Sequence, residues 1–219
     1  MSQKTAVLIG STGLIGSHIL DLLLKDEAFK SVRLLVRRQI TVNHLKVKVI
    51  VLDFEDEKAF REGIRGCDTV FVAVGTTQKK VKGDMTAYRK VDYDIPVNAA
   101  RFCAESGVSR FLLVSSVGAD SQSKNFYLRL KGEVEDGIRR LSVPSTAIFR
   151  PSMLLGRRNE SRPMETVAQV VSKPLAFLFP LKYKPIRAID VARAMVAASL
   201  QNHPGFRIYH YREMMALLD

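Results

Sequence analysis

The stretch Ala6-Val-Leu-Ile-Gly10-Ser-Thr-Gly13-Leu-Ile-Gly16 constrains this chain more than any other. Four consecutive apolar residues read as a strand buried on both faces, and glycines at 10, 13 and 16 then turn the chain into an apolar helix over 15–24. A side chain there would block the tight turn and keep a pyrophosphate away from backbone N–H groups. The helix N-terminus adds partial positive charge where that phosphate would sit. The spacing G-x-x-G-x-x-G is one residue away from the dinucleotide fingerprint G-x-G-x-x-G. An ordinary glycine-rich turn can carry the same three glycines. The strand before them and the helix after them favour the dinucleotide reading, with Thr12, Leu14 and Ile15 among the residues bordering the ligand.

The remainder of the chain offers the partners such a unit needs. Val32-Arg-Leu-Leu-Val36 reads as a second strand, Val47-Lys-Val-Ile-Val-Leu52 as a third and Thr69-Val-Phe-Val-Ala-Val74 as a fourth, with a helix over 55–65 between the last two. A long helix over 86–106 follows, with Pro96 either kinking it or starting its second part. Arg110-Phe-Leu-Leu-Val114 and Ser145-Thr-Ala-Ile-Phe149 read as strands five and six, a helix over 189–200 follows, and Phe206-Arg-Ile-Tyr-His210 with a short terminal helix finish the chain. Apolar strands alternating with helices predict a doubly wound α/β fold with a parallel sheet covered on both faces. At 219 residues, 47% hydrophobic and without repeats or a linker, one domain over 1–219 is expected. Residues 151–185 would form its substrate side; three prolines, Phe177 and Phe179 make 173–185 irregular, as a pocket lining or as packing under a loop.

Ligands of such sheets sit at the carboxyl ends of the strands. No acid closes the second strand; Arg37-Arg38 does, which suits a ribose 2′-phosphate and predicts NADP rather than NAD, although a solvated charge pair would look the same. Val74-Gly75-Thr76 should border the cofactor. After the fifth strand come Ser115-Ser116 and then Tyr127-x-x-x-Lys131. On a helix over 126–141 Tyr127 and Lys131 lie one turn apart, and an adjacent ammonium favours phenolate. Tyr127 is thus a candidate acid/base at a carbonyl or hydroxyl oxygen, with a serine hydroxyl on the same oxygen.

Gly10-x-x-Gly13-x-x-Gly16, the serine-ended strand, Tyr127-x-x-x-Lys131 and Arg150-Pro151 together resemble the short-chain dehydrogenase/reductase superfamily in its extended or atypical form. More narrowly, Gly75-Thr-Thr, Tyr127-Leu-Arg-Leu-Lys-Gly-Glu-Val-Glu and Phe149-Arg-Pro-Ser-Met-Leu-Leu-Gly156 resemble the Tat-interacting oxidoreductase-like proteins of animals. Bacterial relatives described as nucleoside-diphosphate-sugar epimerases share them. The resemblance implies NADPH on the 10–16 loop, its 2′-phosphate on Arg37 and Arg38, adenine near Asp53, and Val74-Gly75 alongside. It places Lys131 on the nicotinamide ribose and beside Tyr127, with Leu154 and Arg162 over the nicotinamide end. Ser116 is preferred for the catalytic hydroxyl because the family's Ser/Thr lies just past the strand, with Ser115 in reserve.

These residues predict an NADP-dependent oxidoreductase acting on a small carbonyl or alcohol. Two alternatives stand beside it: a cofactor-dependent regulator or scaffold for a protein partner, and a sugar-nucleotide epimerase or dehydratase. Only about 68 residues follow Pro151, too few for the nucleotide-gripping portion of such epimerases. Monomer and homodimer are both open. The net charge of +12 could attract nucleic acid, but the basic residues are scattered in short clusters such as Lys79-Lys80-Val81-Lys82 and Arg157-Arg158, and no nucleic-acid motif accompanies them. No apolar run is long enough for a membrane span, and the four histidines show no metal-ligand spacing. Cys67 and Cys103 sit in apolar segments, and with no secretory leader recognisable the expected address is the cytoplasm.

Overall fold

Short apolar runs alternating with amphipathic stretches must be layered helix on sheet, and the computed structural model, which describes residues 3–77, 81–155 and 181–219, layers them on both sides. The strands are β1 (Lys4–Ile9), β2 (Phe29–Val36), β3 (Val47–Val51), β4 (Thr69–Val72), β5 (Arg110–Val114), β6 (Ser145–Phe149), β7 (Leu154–Leu155), β8 (Ile186–Arg187) and β9 (Gly205–Tyr209). Seven of them form one parallel sheet in the order β3-β2-β1-β4-β5-β6-β9, while β7 and β8 pair separately. The order reverses between β1 and β4, which opens a crevice above their carboxyl ends.

The helices are α1 (Leu14–Lys25), α2 (Glu57–Ile64), α3 (Met85–Arg89), α4 (Ile95–Glu105), α5 (Phe126–Arg139), α6 (Ala188–Leu200) and α7 (Tyr211–Met215). Because side chains alternate along a strand, the apolar runs divide between two cores. Ala6, Leu8, Leu34, Phe71 and Phe149 pack with Ile19 and Leu23 of α1 and Val191 and Met195 of α6. Val7, Ile9, Val70, Val72, Phe111 and Ile148 pack with Phe60 of α2, Phe102 of α4 and Val134 of α5.

The expected helix over 86–106 is present in three parts. Between α3 and α4 the chain makes a π turn over Lys90–Asp94. Pro96 explains it: proline has no N–H, and its ring crowds the carbonyl four residues back, that of Asp92. The wider turn removes the clash, so Pro96 starts the second part rather than kinking it.

Several of the scattered basic residues hold the scaffold together. Lys46 Nζ donates to the carbonyls of Leu24 and Asp26, at 2.9 and 2.8 Å, at the end of α1. Arg33 Nη1 donates to those of Arg65 and Gly63, at 2.7 and 3.3 Å, at the end of α2. Both place positive charge at the negative pole of a helix. No helix among the described residues is long and apolar enough to cross a membrane.

Phe60, fully buried, meets Phe54 and Phe102 edge to face with ring centres 4.8 and 5.3 Å apart. Phe60→Ala should lower the unfolding free energy by about 3–5 kcal/mol, read from urea unfolding followed by circular dichroism.

Candidate cofactor cradle and acid–base site

Beyond β1 the backbone folds so tightly that only glycine fits. Gly10 has φ +94°, and a Cβ there would lie 2.6 Å from the Ala73 carbonyl oxygen, just past β4. A Cβ on Gly16 would lie 2.0 Å from the Gly10 oxygen. Gly13 N–H donates to that same oxygen at 3.0 Å and stands at the N-cap of α1, where no side chain caps the helix and no acid lies in the first turn. By contrast Asp56 caps α2 and Asn125 caps α5. Among the described residues no acceptor reaches the N–H groups of Leu14 and Ile15. This leaves a bare, positively polarised helix end at the reversal of strand order, with Thr12 exposed on the loop crest; a dinucleotide's pyrophosphate fits it.

The other expected contacts line the same carboxyl edge. Arg37 and Arg38 stand exposed just past β2; unlike Arg61, Arg89, Arg101 and Arg150, neither enters an ion pair among the described residues. Asp53, exposed past β3, accepts from Glu55 N–H at 3.0 Å and so shapes the turn. Val74 is half-buried and Gly75 exposed beyond the end of β4. Leu154 belongs to β7, whose pairing with β8 ties the chain past β6 to the start of α6. Arg162, Arg157, Arg158, Lys79, Lys80 and the larger part of the 151–185 segment lie outside the described residues.

The two serines after β5 have different surroundings. Ser115 is buried, and its Oγ donates to Glu135 Oε1 at 2.5 Å. Glu135, itself buried, also accepts from Arg150 Nη2 at 2.6 Å and from Arg150 Nε at 3.0 and 3.1 Å. Ser116 is half-buried, with its hydroxyl 3.3 Å from the Val117 carbonyl. The loop carrying them then lies directly on α5. A Cβ on Gly132 would lie 2.1 Å from Ser121 N, and Asp120 N–H donates to the Leu128 carbonyl at 3.1 Å. That contact sets the serine loop against the helix of Tyr127, a residue that is 37% exposed.

Lys131 is buried below it, with Nζ 5.8 Å from the centre of the Tyr127 ring. The sequence reading missed its partner. Asp92, buried in the π turn, receives Lys131 Nζ on Oδ1 at 2.9 Å and Thr76 N–H on Oδ2 at 2.7 Å. Burial pulls the Lys131 pKa down, but the carboxylate of Asp92, helped by Tyr127 and Glu135, outweighs burial and leaves it above the ordinary lysine value. A signal was available: Asp92 precedes Ile95, Ala99 and Phe102 at helical spacing, an acid on an apolar stripe. Glu135 sits likewise beside Val134 and Ile138.

Glu135→Ala would strand the Arg150 guanidinium and free Ser115. Its expected cost is about 3–5 kcal/mol in urea unfolding, well above that of a surface carboxylate such as Glu62.

Comparison with known proteins agrees with this geometry. The family model described as NAD(P)H-binding matches residues 10–202. Protein FMP52-1, mitochondrial, of Scheffersomyces stipitis is 33% identical, over 97% of this chain and 98% of that protein. Protein HTATIP2 of Rattus norvegicus is 33% identical, over 90% and 81%. Among solved structures, Bordetella bronchiseptica WbmH in complex with NAD+ superposes with a TM-score of 0.73 at 20% identity, covering 96% of this chain and 76% of its own. The UDP-N-acetylglucosamine 4-epimerase of Methanobrevibacter ruminantium M1 also gives 0.73, at 18% identity, covering 96% and 77%. The fungal relatives overturn the cytoplasmic expectation, since several are named mitochondrial proteins. Free, buried thiols speak to redox environment and do not distinguish one compartment from another. With a matched family model and an uncapped glycine cradle at the switch point of a parallel sheet, this chain belongs to the NAD(P)H-binding Rossmann family.

Proposed function

We propose that the chain is an NADP-dependent oxidoreductase of the short-chain dehydrogenase/reductase type, acting on a small carbonyl or alcohol. The observation that carries this reading is the Tyr127–Lys131 pair, with a buried ammonium 5.8 Å from an exposed phenol ring, at the carboxyl edge that also holds the glycine cradle. Gly10, Thr12, Gly13, Leu14, Ile15 and Gly16 would hold the pyrophosphate, with Val74 and Gly75 alongside and Asp53 near the adenine. The guanidinium groups of Arg37 and Arg38, which enter no ion pair among the described residues, would take the 2′-phosphate that separates NADP from NAD. Bound there, the cofactor supplies or accepts the hydride. Tyr127 gives its phenolic proton to the substrate oxygen in reduction and recovers it in oxidation. Ser116 donates a hydrogen bond to the same oxygen; Ser115 is engaged by Glu135, which favours its neighbour for this role. Lys131 holds the ribose and acts on the phenol through its charge.

Several solved neighbours are named for UDP-sugar chemistry, and this chain spans 76–77% of two of them. A cofactor-binding regulator would share the cradle but would not need Tyr127.

The test is a fluorescence titration with NADPH and NADH. Wild type should favour NADPH tenfold or more, about 1.4 kcal/mol, and Arg37→Ala/Arg38→Ala should lose that preference. Equal binding of both would overturn the NADP assignment. In an aldehyde and ketone screen, Tyr127→Phe should cut turnover about 100-fold or more at unchanged NADPH affinity; undiminished turnover would remove Tyr127 from the chemistry.

A further inference from the structure

In the proposed mechanism Lys131 acts on Tyr127 as a free positive charge. The structure gives that charge a buried counter-ion, and this has a consequence for the acid–base unit that goes beyond the reading on which it rests. Asp92 is 1% exposed and Lys131 5%, so water screens neither appreciably. The ion pair is 2.9 Å long, and the Lys131 Nζ is 5.8 Å from the Tyr127 ring centre. The carboxylate oxygen is therefore at most half as far again from the ring as the ammonium is. With interaction falling as 1/r and the charge shared between the two carboxylate oxygens, it cancels more than half of the lysine's effect there.

The other charges nearby do not undo this. Glu135, one turn further along α5, faces Lys131 but is matched by the Arg150 guanidinium. From the loop after β4, Asp92 receives the neutral Thr76 N–H, and from α3 the Tyr88 hydroxyl donates to the Thr76 carbonyl at 3.4 Å. Arg89 and Arg129 pair with Glu133 on the outer side of the helix.

We infer that Asp92 is a positioning residue of the acid–base unit: it fixes the Lys131 ammonium against the Thr76 loop and offsets most of that ammonium's field at Tyr127. The unit is then a tyrosine beside a neutral pair, rather than a tyrosine beside a cation. The π turn is the device that delivers the carboxylate, since Asp92 lies on it four residues before Pro96.

The test needs neither cofactor nor substrate. Full-length protein labelled with [13Cζ]tyrosine is titrated by NMR, and the Tyr127 resonance is identified by its absence in Tyr127→Phe. In Asp92→Asn the Tyr127 transition should move to lower pH by half a unit or more, about threefold in the ionisation constant. A smaller shift, or one to higher pH, overturns the proposal. Lys131→Met alone should move it to higher pH, because the carboxylate then acts unopposed. In Asp92→Asn/Lys131→Met the transition should stay within half a unit of wild type. A rise as large as in Lys131→Met alone would mean that Asp92 never offset the lysine, and would also overturn the proposal. If Asp92→Asn does not fold because it buries an unpaired ammonium, the two Lys131 variants decide alone. NADPH titration of the same samples reports separately on the oxidoreductase reading, so either idea can fail without the other.

Discussion

The close approach of three backbone segments, at Gly10, Gly16 and Ala73, governs the rest of the molecule. The Gly10 carbonyl occupies the space where a Cβ on Gly16 would be, and Ala73 closes on Gly10 from the neighbouring strand. No side chain can enter that crossing, so α1 starts directly above the gap where the strand order reverses. A helix that starts there uncapped presents its N–H groups to whatever enters the crevice. The same packing that stabilises the β1–α1–β4 unit therefore creates the uncapped helix end proposed to take the pyrophosphate, so substitution at these glycines would disturb the fold and the proposed cradle together.

The strongly basic composition takes on a different meaning once the side chains are located. Lys46 and Arg33 satisfy helix C-termini, while Arg61, Arg89, Arg101 and Arg150 pair with carboxylates. Arg37 and Arg38 stand exposed at the carboxyl edge of the sheet with no such partner among the described residues. Buried charge is the costlier part of the design. Ser115–Glu135–Arg150 and Thr76–Asp92–Lys131 remove ionised groups from water, and a buried ion is tolerable only with its partners in place. Each network joins a loop at a strand end to a helix, so together they fix the loops after β4 and β5 relative to α5.

Much of this was legible beforehand. Arg110–Val114 and Ser145–Phe149 are legible with their observed bounds because short, mostly apolar runs between turn signals have few other uses. The helix over 86–106 is legible with a disturbance at Pro96, but the π turn that absorbs it is not, since a proline announces a disturbance without saying how the backbone will absorb it. Asp92 and Glu135 are hard to single out in the sequence because an acid on a helix is nearly always solvated, and only its place on an apolar stripe argues otherwise. The pairing of β7 with β8 was invisible, as two residues are too few for any period to register.

The sequence by itself determined the layered α/β class, the glycine turn and the spacing of Tyr127 and Lys131. These depend on local sterics and on side-chain period, which a linear string records. Tertiary structure alone decided which charges are neutralised: that Asp92 meets Lys131 across 39 residues, and that Glu135 meets Arg150 and Ser115. Such pairings depend on distances between segments remote in the chain, and in a buried site those distances decide how strongly each charge is felt.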